Sequence, residues 1–224
     1  MIHETQNQAQ KYFLVGTVIL GVLIIAGIIW ALTLAPDTTG HEEEYGLRFN
    51  DQNDPIIGKA DSKVVVRFFS DFQCPACKSA EPSVLHVLQT FADRVKFVWN
   101  DFPLTELHKN ANEAANAARC AKEQGKFWEY RDALYVGQDE WSALVNPDDT
   151  FSAYAQKLGL RTDAFNACVQ EKTFNTHITD DFEEGTSNNV NSTPTFFIGN
   201  KRYVGAMSNA AWDTELLSAL GAVK

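Results

Sequence analysis

Two cysteines stand three positions apart in "SDFQCPACKSAEP" (Ser70 to Pro82), directly after the apolar run "VVVRFF". Such a pair can do three kinds of chemistry. It can ligate a metal, but a structural zinc site takes four N or S ligands, usually as two close pairs. Here Cys120 and Cys168 are isolated, and His86 and His108 fall in helical patterns, so no metal site is read. It can staple the fold, yet closing so short a loop removes little unfolded-state entropy. Or it can exchange electrons. A cysteine at a helix N-terminus faces unpaired N–H groups and the positive end of the dipole, so its thiolate is favoured. Cys74 has that place and reads as the nucleophile. Cys77, one turn further in, reads as the resolving thiol, and the exchange needs no cofactor.

The elements that must position this pair are legible around it. "KVVVRFFS" is a short, nearly continuous apolar run of β-branched and aromatic residues, the pattern of a buried strand. A helix is predicted from the cysteines through "KSAEPSVLHVLQTFA", with Val84, Leu85, Leu88 and Phe91 at helical spacing and a kink at Pro82. "RVKFVWNDFP" reads as a second strand, completing a βαβ unit with a parallel pair. The period then becomes helical: "ELHKNANEAANAARCAKEQG", "KFWEYRDALYV", Phe151 to Leu158, Thr162 to Gln170 and Phe174 to Glu184. "TPTFFIGNKRYVG" reads as a hairpin turning at Gly199-Asn200, and a closing helix is N-capped at Ser208.

The N-terminal part is different in kind. Phe13 to Ala35 contains no charged residue, and as a helix it would span ~34 Å, enough for the roughly 30 Å hydrocarbon layer. It is longer than the apolar region of a cleaved signal peptide, so an uncleaved anchor in the lipid bilayer is expected. Lys11 on one flank against Asp37 and Glu42 to Glu44 on the other puts residues 1–12 in the cytoplasm and the remainder outside. Residues 36–55 read as a flexible linker. The net charge of -10 and the lack of a basic stripe argue against a nucleic-acid partner.

Strand, "DFQCPAC", helix, strand, helical block, then "STPTFFIG" and a terminal helix resembles the DsbA-like thiol–disulfide oxidoreductases. The resemblance runs from about Asp54 to the C-terminus and includes "RCAKEQGKFWEYRDALY". It implies an α/β, thioredoxin-like fold with an inserted α-helical domain: residues 56–104 and 189–224 forming the thioredoxin-like part, and 105–188 the insertion. It also implies that Pro194 is a cis-proline facing the cysteines, holding Thr193 so that its backbone can pair with an extended substrate peptide. Pro75 and Ala76 would tune the couple. Family members that oxidise strongly often carry histidine where Ala76 stands, so a less oxidising couple is expected here. Asp71 and Arg67, near the thiols in sequence, could tune a pKa or simply be salt-bridged.

Cys120 and Cys168 fall on separate predicted helices. In an oxidising compartment two unpaired thiols would be a liability, so a structural disulfide between them is expected; two buried free thiols packing as small hydrophobes are the alternative.

These readings converge on a membrane-tethered, extracytoplasmic oxidase inserting disulfides into exported thiol-containing proteins. By family analogy, a membrane protein of the DsbB or vitamin K epoxide reductase-like type would reoxidise it. A reductase or isomerase of the same fold, and a non-catalytic module that binds extended chains, are the rival functions.

Overall fold

The computed structural model describes residues 47–223. The expected tail 1–12, the expected anchor 13–35 and most of the expected linker lie outside them. Among the described residues no helix is long and apolar enough to cross a membrane.

Five strands form one mixed sheet: β1 (Ile56–Gly58), β2 (Val65–Ser70), β3 (Lys96–Asp101), β4 (Thr195–Ile198) and β5 (Lys201–Val204). Their order is β1-β3-β2-β4-β5. The central β2 is parallel to β3, with Ser70 opposite Asp101, and antiparallel to β4, with Phe68 opposite Phe196. Helix α1 (Pro75–Phe91) makes the crossover from β2 to β3, with Pro82 accommodated inside it. Six helices lie between β3 and β4: α2 (Ala111–Lys122), α3 (Phe127–Val136), α4 (Gln138–Trp141), α5 (Asp148–Lys157), α6 (Thr162–Gln170) and α7 (Asn175–Ser187). The hairpin joining β4 to β5 takes its positive φ at Gly199, where the lack of a Cβ removes the steric cost. Helix α8 (Asn209–Ala222) ends the chain, and Ser208 Oγ accepts from Ala211 N–H as its N-cap.

Side chains alternate across the sheet as strand geometry requires. On one face Val66, Phe68, Phe97, Trp99 and Phe196 join α1 and Trp212 of α8 in the main core. On the other, Phe69, Phe102, Val190 and Phe197 form a second, smaller cluster. Helix α7 closes against this face because Gly185 has no side chain: a Cβ there would lie 2.7 Å from the Phe102 ring.

Residues 47–55 depart from the expected linker. Leu47 and Phe49 pack on the second cluster, the Phe49 ring lying 5.2 Å from that of Phe197. Asp51 bridges Arg67 at 2.8 Å and Lys96 at 2.6 Å, and Asp54 pairs with buried Arg119 at 3.2 Å. The polar composition that suggested a tether serves here to pair with Arg67, Lys96 and Arg119. The short strand β1 lies outside the sequence pattern, since three residues give too little period to separate strand from loop.

Candidate active site

The end of β2 delivers the chain into the turn Asp71-Phe72-Gln73, and Cys74 then occupies the N-cap of α1 with Pro75 as the first helical residue. An N-cap side chain ordinarily accepts from the free N–H groups of the first turn. Here a sulfur has that position, and proline suits the next one because it has no N–H to satisfy. Both thiols are free and buried, Cys74 at 7% exposure and Cys77 at 2%. Pro75 and Ala76 between them are exposed.

The Thr193–Pro194 peptide bond is cis. It places the Thr193 carbonyl oxygen 3.5 Å from Cys74 Sγ. Thr193 Oγ1 is buried and has no hydrogen-bond partner among the described residues, which leaves its hydroxyl available to the sulfur. Residues 119 positions apart thus meet across the N-terminus of α1.

The electrostatics of the two sulfurs diverge. Cys74 is brought down to about 5, above all by a hydrogen bond from the Cys77 thiol, with the Thr193 side chain and the N–H groups of Cys77 and Ala76 adding to it against the cost of burial. Burial pushes Cys77 well up, and the neighbouring Cys74 pushes it further. One member of the pair is therefore a thiolate at neutral pH, whereas the other remains a thiol that donates to it.

The turn is held from outside by side chains of the helical block. Gln138 Nε2 donates to the carbonyls of Phe72 at 2.7 Å and Cys74 at 3.1 Å. Gln73 Nε2 donates to Ser142 O at 2.9 Å, and its Oε1 accepts from Asn110 N–H at 2.7 Å. Asp71 meets His108 at 2.7 Å. Behind Cys77, buried Tyr135 and the Glu81–Arg131 pair fill the space, the guanidinium also lying over Trp99.

Of the roles open to Arg67 the structure shows the salt-bridged one: strand alternation turns it to the opposite face, where it pairs with Asp51 and lies 4.2 Å over the Phe49 ring. His108 precedes α2 rather than lying within it, because the chain from Leu104 folds back in a turn tied to Asp71. The sequence does not mark Gln73, Gln138 or Tyr135, because no local pattern assigns an amide or a phenol to such a place. In the helical block, Cys120 of α2 and Cys168 of α6 are disulfide-bonded, their Cα atoms 5.9 Å apart.

Residues 50–216 match the family described as Thioredoxin. Among curated relatives, the protein named Na(+)/H(+) antiporter NhaA 3 of Salinispora tropica is 34% identical over 171 residues, covering 76% of this chain but 25% of its own length. The chain thus spans about a quarter of that relative. Among solved structures, BdbD from Bacillus subtilis superposes with a TM-score of 0.69 at 20% identity, covering 77% of this chain and 95% of that one. The thiol-disulfide exchange protein alpha-DsbA2 from Wolbachia pipientis superposes with a TM-score of 0.65 at 19% identity, covering 75% and 88%.

Proposed function

We propose that this chain, which belongs to the thioredoxin family, is an extracytoplasmic thiol–disulfide oxidase acting on exported proteins through Cys74 and Cys77. The observation that carries the reading is the split between two adjacent thiols, Cys74 lowered to about 5 and Cys77 raised, at a helix N-terminus facing Thr193. A low-pKa sulfur is a good leaving group, and a couple whose reduced form is stabilised as a thiolate is oxidising.

In the oxidised pair, a substrate thiolate attacks Cys74 Sγ. The Cys74–Cys77 bond breaks, and its electron pair leaves on the Cys77 sulfur, which takes up a proton. A second substrate thiolate then attacks the substrate sulfur of the mixed disulfide and expels Cys74 as thiolate. The substrate loses two electrons and the pair gains them. The backbone of Thr193 offers an extended peptide a pairing edge beside the sulfur. Residues 13–35 would hold the domain at the bilayer, where a DsbB-like or vitamin K epoxide reductase-like protein would withdraw the electrons. Ion exchange, named for the longer antiporter relatives, is not proposed, since most of their length has no counterpart here.

Titration in glutathione buffers, together with trapping the redox state of Cys74 in cells, tests the direction. A potential above about −200 mV with Cys74 found oxidised is expected. A potential near −270 mV, with Cys74 found reduced, would make the chain a reductase.

A further inference from the structure

Asp71 lies three residues before Cys74, and its side chain has no exposure. Its Oδ1 accepts from Gln73 N–H at 2.7 Å, and its Oδ2 accepts from Leu104 N–H at 2.9 Å and His108 Nδ1 at 2.7 Å. Its backbone carbonyl accepts from Cys74 N–H at 3.1 Å. A carboxylate is acceptor-only, so His108 Nδ1 carries the hydrogen of their bond. Burying a carboxylate is expensive unless its oxygens are occupied, and here both are occupied by groups that shape the turn rather than by a sulfur.

We propose that the Asp71–His108 pair is a positioning device for the nucleophile: His108 fixes Asp71, and Asp71 fixes the turn that sets the Cys74 sulfur at the N-terminus of α1. The effect travels through backbone geometry, because the free N–H groups of a helix N-terminus stabilise a thiolate only while the sulfur is held before them. A direct electrostatic effect of Asp71 would have the opposite sign, since a nearby negative charge discourages ionisation of a thiol. The two accounts are therefore separable. The inference rests on Cys74 being the low-pKa nucleophile, as in the function proposed above.

The test is thiolate absorbance against pH for the full reduced chain, in wild type, His108→Leu and His108→Asn. Leucine removes the donor, and the Cys74 midpoint should rise by about one unit, a tenfold loss in ionisation. Asparagine carries an N–H close to the position of imidazole Nδ1 and should restore most of that loss. The potential should move the same way, the leucine variant becoming less oxidising. An unchanged midpoint in His108→Leu, or an equal shift in both variants, overturns the proposal. Should the leucine variant not fold, Asp71→Asn takes its place: a rise is expected there too, and a constant or lowered midpoint overturns the idea. A wild-type midpoint already near that of free cysteine defeats the reading of the site, and this inference with it. A low wild-type midpoint with no variant shift defeats the inference alone.

Discussion

The two cysteine pairs of this molecule both reach into the core and are chemically unlike. Cys77 at 2% exposure and Cys120 at 1% are both core residues. Cys120 is bonded to Cys168, 48 residues apart, between the last turns of α2 and α6, away from any helix N-terminus of its own. The Cys74–Cys77 pair lies where a strand hands over to a helix, at the N-terminus of α1 and beside Thr193. Burial alone does not decide what a cysteine does; the polar groups facing its sulfur decide. Closing a 48-residue loop stabilises a fold, by about 4 kcal/mol on the chain-entropy estimate. Closing the short loop at Cys74 adds little stability, which leaves that pair free to open and close.

The contrast can be broken most severely by exchanging roles. Cys74→Ser should lower thiol exchange by at least about a thousandfold with the fold intact, since the attacked sulfur is gone. Replacing both Cys120 and Cys168 by serine should do the reverse, costing roughly 4 kcal/mol in denaturant unfolding while the Cys74 midpoint stays in place. Loss of exchange in the second variant, with folding unaffected, would show that the pairs are not separate devices.

A second consequence concerns stability against pH. Cys74 has a folded pKa of about 5, below its unfolded value. Its contribution to the reduced form is complete above the unfolded value and is lost as pH falls through about 5. The reduced protein should therefore melt higher than the oxidised one at pH 7, and the gap should shrink on acidification to pH 4. Calorimetry of both forms checks this, and a gap independent of pH would contradict it.

Asp54 works in the other direction. Burial pushes it up to about 7 despite the opposing pull of Arg119, with Asp101 and Glu184 reinforcing the rise. The folded state thus holds a proton that the unfolded state releases near pH 4, and stability should decline as pH rises from about 4 to 7. Asp54→Asn should flatten that slope, as read by thermal unfolding across the range.

The smallest effect tests the N-terminal border of the domain. Phe49→Ala should cost about 1–2 kcal/mol, as expected for a half-buried ring on the second core. No change would return residues 47–55 to the status of a tether.

What the sequence revealed was whatever is local. The cysteine pair at a strand–helix junction, Thr193-Pro194 before an apolar strand, and the turn at Gly199 are each written within a few residues. What it hid depends on distance along the chain. Asp71 meets His108 across 37 positions, and Arg119 gathers Asp54 from 65 positions away. A lone aspartate in a polar stretch looks like a solvated residue until its partner is known. The same distance dependence makes residues 47–55 look like a tether and places His108 in a helix that begins only at Ala111.

The proposed chemistry depends most on the ionisation of Cys74. Alkylation rate against pH, followed at Cys74 in the reduced wild-type chain, should rise to half its maximum near pH 5, the value its surroundings impose. A half-maximum at about pH 8.5, that of an unassisted cysteine, would contradict the site as described.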